Sequence, residues 1–94
     1  MIGREARRTS RRTRVEAVFG SGDTPSVLDL LELIEMAWHD CYGEVSPSEE
    51  IIDDILTVSE GDWDRLASAA RLAVVDRRDL RIAAETIRRE PDRD

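Results

Sequence analysis

The sequence predicts an all-α fold, a compact bundle of about four helices (25–42, 47–57, 60–74 and 77–90) preceded by a flexible basic arm. Three observations carry this. Residues 26–42 place apolar side chains at helical spacing. Helix-start signals recur at Thr24-Pro25, Ser46-Pro47, Ser59 and Asp76. No stretch alternates apolar and polar residues as a half-buried strand would.

The helix over 25–42 is the most apolar segment, and the other elements are expected to pack around it. At about 100° per residue, Val27, Leu30, Leu31, Ile34, Ala37, Trp38 and Cys41 point within about 80° of one direction. Leu28 and Leu33 widen that stripe, while Asp29, Glu32, Glu35, His39 and Asp40 gather on the other side. Thr24 can cap the start, with Pro25 at the first position, where a missing N–H costs nothing. Gly43 follows the last turn, at the position that favours a left-handed residue. Cys41, on the apolar side, is expected to be an inert core thiol. Met36 stands alone among the acids, an exposed apolar residue of the kind that marks a partner contact.

The second helix is expected over 47–57. Ser46 would cap it, with Pro47 first and Glu49 third, a capping box. Ile51, Ile52, Ile55 and Leu56 make its core side, and Glu49, Glu50, Asp53 and Asp54 its solvent side.

Two further starts share one pattern. Ser59 with Asp62 three positions on, and Asp76 with Asp79, are cap and third-position pairs. Val58/Trp63 and Val75/Leu80 stand at hydrophobic-staple spacing around them. The apolar stripe of Leu66, Ala67, Ala70, Ala73 and Val74 is turned by about 90° from that of Leu80, Ala83, Ala84 and Ile87. A single straight helix cannot keep both against one core, so a break is expected at Val75–Asp76. Pro91 should end the last helix.

Residues 1–22 hold Arg4, Arg7, Arg8, Arg11, Arg12 and Arg14 against Glu5 and Glu16. With few apolar residues before Val15, they read as a disordered arm, joined through Gly20-Ser21-Gly22 to a single helical domain over 23–94. Residues 39–64 then carry nine acids and no arginine, and residues 65–94 eight arginines against six acids. The chain, at net −7, thus has basic ends and an acidic waist.

Catalytic signatures are not found. Glu35 and His39 are four apart with Glu32 and Asp40 nearby, but a bundle metal site draws Glu-x-x-His pairs from separate inward-facing helices. One histidine cannot supply that. No glycine-rich phosphate loop, nucleophile elbow or zinc spacing occurs, so neither an enzyme nor a cofactor is expected. The lone cysteine cannot form an internal disulfide, and no apolar run nears the ~20 residues that span a bilayer. No secretory h-region follows Met1, so a cytoplasmic protein is expected.

The expected function is a non-catalytic protein–protein interaction module, a small regulatory or adaptor protein. Its contact would be Met36 with Glu49, Glu50, Asp53 and Asp54, facing a partner with a basic surface or a second copy. One alternative is nucleic-acid binding through Arg4, Arg7, Arg8, Arg11, Arg12 and Arg14, each neutralising a phosphate. No aromatic residues interleave those arginines for base stacking. A second alternative is an acidic immunity-type or nucleic-acid-mimicking inhibitor, which the eight late arginines weaken.

Overall fold

A computed structural model of the chain describes residues 3–89. They form five helices in two compact units, Met1–Ser46 and Pro47–Asp94. Among the described residues there is no strand. The boundary expected between Gly22 and Asp23 falls inside the first unit. The expected end of the last helix at Pro91, and its extension to residue 90, lie outside the described residues.

The first unit contains α1 (Arg4–Phe19) and α2 (Thr24–Tyr42). The helix α1 corrects the expectation of a disordered arm. Its Arg, Ala and Glu residues are strong helix formers, and Glu5 sits in the first turn, where the helix dipole favours an acid. Propensity alone leaves so polar a segment marginal in water. Docking on α2 supplies the rest. Arg7, Arg11 and Val15, spaced by four, share one side of α1, and Arg11 and Val15 are buried. Gly20, at φ 81°, ends the helix, its N–H donating to the Glu16 carbonyl.

Along α2, Val27, Leu28, Leu31, Ile34 and Trp38 form the buried face, as expected. Trp38 is 1% exposed; its indole N–H donates to Glu44 Oε1 over 2.8 Å, and its ring lies 4.5 Å from that of Tyr42. Gly43 takes the left-handed conformation at φ 72°, its N–H donating to His39 O. Three placements differ from expectation. Cys41 is exposed rather than a core thiol, Leu33 is outside the stripe, and Glu35 is 5% exposed rather than solvated. The buried arc is centred on Leu31 and Trp38, so Cys41 and Leu33 fall beyond its edges. Thr24 lies inside the helix, its hydroxyl donating to Gly20 O over 2.8 Å instead of capping.

The second unit is a three-helix arrangement of α3 (Glu49–Ser59), α4 (Trp63–Val75) and α5 (Arg77–Arg88), each touching the other two. Ile52, Ile55, Leu56, Leu66, Ala69, Ala70, Ala73, Leu80 and Ala84 are its buried apolar residues. With no aromatic among them, the helices pack through aliphatic and alanine side chains. Two caps shift from their expected positions. Ser48, not Ser46, caps α3 and accepts from Ile51 N–H. Asp62, not Ser59, caps α4 and accepts from Arg65 N–H over 3.0 Å. Ser59 instead closes α3 from within, its hydroxyl donating to Leu56 O, before Glu60 and Gly61 turn the chain at positive φ. The break at Val75–Asp76 is present, and Asp76 accepts from both Arg78 and Asp79 N–H. The Val75/Leu80 staple is not made, because Val75 is 71% exposed while Leu80 is buried.

Candidate interaction surface

Two ionic clusters, one in each unit, determine which charges remain for a partner. In the first, Glu35 of α2 accepts from Arg7 Nε at 2.7 Å, Arg7 Nη2 at 3.1 Å and Arg11 Nη1 at 2.8 Å. The Ser46 hydroxyl donates to Glu35 at 3.1 Å and accepts from Arg11 Nη2 at 3.0 Å. Burial pushes the Glu35 carboxyl up, but hydrogen bonds and charge from Arg7 and Arg11 outweigh it and hold the group below its ordinary range. Beside it, Arg8 binds Asp29 and Glu32. Ser46, expected as a helix cap, thus bridges this cluster.

In the second unit, Asp54 is 2% exposed and accepts from Arg88 Nη1 at 2.9 Å and Arg81 Nε at 3.0 Å. Glu50 accepts from Arg81 Nη2 at 2.9 Å. These ion pairs tie α5 to α3.

The clusters revise the expected site. Met36 belongs to the first unit and the four acids of α3 to the second. Asp54 is not on a solvent face, Glu50 is paired with Arg81, and Glu49 and Asp53 also take part in interactions within the fold. Of the arginines expected to meet phosphates, Arg7, Arg8 and Arg11 are held by carboxylates. Arg12 is exposed, Arg14 has an interaction of its own, and Arg4 opens α1. The Glu35 carboxylate is engaged by α1, while His39 is exposed. Among the described residues, no group of three or more His, Cys, Asp or Glu is placed to hold a metal ion. No described helix is long and apolar enough to cross a membrane.

What stays open on the first unit is the outer side of α2. At about 100° per residue, Asp29, Leu33, Met36 and Asp40 point about 180° away from the buried face. Leu33 is 60% exposed and Met36 61%. Met36 and Val45, itself 61% exposed, line a cleft of about 480 Å³ with Arg7, Glu32, Glu35, His39 and Asp40. The result is a methionine- and leucine-bearing strip with an acid at each end. Sequence reasoning found Met36 but missed Leu33, whose position at the edge of the apolar stripe left its side undecided. It missed the Glu35 cluster too; the available signal was the spacing of Arg7, Arg11 and Val15.

Compared with protein-family models, curated proteins and solved structures, the chain matches none.

Proposed function

We propose that this protein is a non-catalytic helical interaction module whose contact face is the outer side of α2. Met36 and Leu33 act as the apolar anchor, Asp29 and Asp40 as its polar ends, and Val45 extends it through the cleft. The observation that carries the proposal is the exposure of two large apolar side chains opposite the buried face of a helix. Unbranched and polarisable, methionine suits a contact that must adapt to another surface. A rim of acids favours a partner bearing arginine or lysine.

The test is a photocrosslinking residue at position 36 in producing cells, with the same residue at exposed Ser68 as control. A discrete covalent adduct unique to position 36, and lost when Leu33 is replaced by Glu, is expected. Equal labelling from both positions would remove the proposal.

A further inference from the structure

We infer that the outer side of α2 takes a second copy of this chain, through the outer side of that copy's α5. This rests on the contact face proposed above and names its occupant. The basis is a match of spacing and charge between two faces that both remain exposed.

On α2, Asp29 and Asp40 are eleven residues apart, a separation that returns a helix to within about 20° of the same direction over about 16 Å. On α5 and its cap, Arg78 and Arg89 are also eleven apart, and both are exposed. Ile82, 62% exposed, lies between them on that side, opposite buried Leu80 and Ala84. Arg81 and Arg88, which hold Asp54, lie off this strip and are not consumed by it. One helix thus presents acid–Leu–Met–acid and the other Arg–Ile–Glu–Arg, its Glu85 lying beside Arg89.

Laid antiparallel with Arg78 against Asp40, the register brings Ile82 opposite Met36 and Arg89 opposite Asp29. The same register sets Asp79 opposite His39, Thr86 opposite Glu32 and Glu85 opposite Leu33, so the apolar contact of this register is Met36 with Ile82. Antiparallel helices also align their dipoles favourably. Asp29 already holds Arg8, and Arg89 is 3.9 Å from Glu85, so the Asp40–Arg78 end carries more of the discrimination. Among the described residues, neither Asp40 nor the Arg78 side chain has a partner, which leaves both for an intermolecular pair. The two faces differ, so the contact is heterologous; it closes by reciprocal exchange or continues from copy to copy.

The test is sedimentation velocity of the full chain over a concentration series. Wild type should associate at low salt and dissociate towards monomer at about 1 M salt, where the screening length is ~3 Å. Met36→Glu and Ile82→Glu should each weaken association by roughly tenfold or more. Asp40→Arg alone sets Arg against Arg, and Arg78→Asp alone sets Asp against Asp, so each should be monomeric. An equimolar mixture restores both pairs and should associate again. Circular dichroism of each variant separates lost contact from lost fold. A wild-type monomer at every concentration, or a mixture that stays monomeric while wild type associates, overturns the inference. If position 36 crosslinks to a different protein while the chain is monomeric, the contact face survives and the second copy does not; with neither adduct nor association, both fall.

Discussion

Arg11 Nη1 donates to Glu35 Oε2 over 2.8 Å with side-chain exposures of 2% and 6%, so the most deeply buried charges of the first unit neutralise each other. Twenty-four residues of chain separate them. A guanidinium this buried is tolerable because it is satisfied, the carboxylate and the Ser46 hydroxyl being among its partners. Removing one member of such a pair leaves an uncompensated buried charge, a loss of about 3–5 kcal/mol. Glu35→Leu should therefore destabilise strongly, and Arg11→Met less, since Arg7 still pairs with Glu35. The double variant should recover much of that loss, because both charges leave together. Urea unfolding of the four proteins checks this, and additive losses would contradict the pairing.

The same carboxylate sets an acid limit on stability. Its folded-state pKa is depressed from an ordinary value of 4.5, so the ionised form is preferred in the folded state. The associated stabilisation is full above that ordinary value and is lost as pH falls through the depressed one. Stability should decline on acidification below about pH 4.5, with a slope that is shallower in Glu35→Gln. Unfolding free energies measured at stepped pH values for both proteins test it. Equal slopes would show that other carboxylates carry the acid response.

The helices α2 to α5 were legible because each advertises itself locally. Gly43 marks an end, Asp76 a start, and the rotation of the apolar stripe between Ala73 and Leu80 a break. The reason α1 was not legible is that its stabilising partners are distant. Counted alone, Arg7, Arg8 and Arg11 read as solvated charge, and only their meeting with Asp29, Glu32 and Glu35 gives the segment a surface to fold on. Asp54 illustrates the same limit in the other unit. Its neighbours Asp53 and Glu50 make the run look like a solvated face, until Arg81 and Arg88 arrive from α5 to bury it. Half of the contact face was visible for the opposite reason: Met36 interrupts the acids, and an apolar residue there has no local explanation.

Caps offer a sharp check on chain direction in the second unit. Ser59 was the expected start of α4, with Asp62 third, yet it is Asp62 that accepts from an N–H of the first turn. Asp62→Ala should cost about 1 kcal/mol, within the usual range for a lost N-cap. Asp76→Ala should cost at least as much, since two amides lose their acceptor. Thermal unfolding of each single variant measures both.

Cys41 gives a test of the α2 rotation that does not depend on stability. The buried arc is centred on Leu31 and Trp38, which leaves the Cys41 thiol exposed. A maleimide should label native protein to completion, at a rate close to that of the urea-unfolded chain. Slow labelling that accelerates on unfolding would mean that α2 turns Cys41 inward. The same rotation would carry Leu33 and Met36 away from their present exposure, so thiol accessibility also bears on the proposed contact face.

Deleting residues 1–14 separates a structural α1 from a polyanion-binding arm. As a docked helix, α1 supplies Arg7, Arg8 and Arg11 to three carboxylates of α2, and its loss strips Glu35 of both its guanidinium partners. Hydrogen exchange along Thr24–Tyr42 should then accelerate sharply, with the largest change around Ile34 to Trp38. Replacing Arg7 and Arg11 with Met should reproduce most of the acceleration without shortening the chain. If α2 keeps its protection after the deletion while binding of duplex DNA at low salt disappears, the arginines serve phosphate contacts and the clasp on Glu35 is incidental.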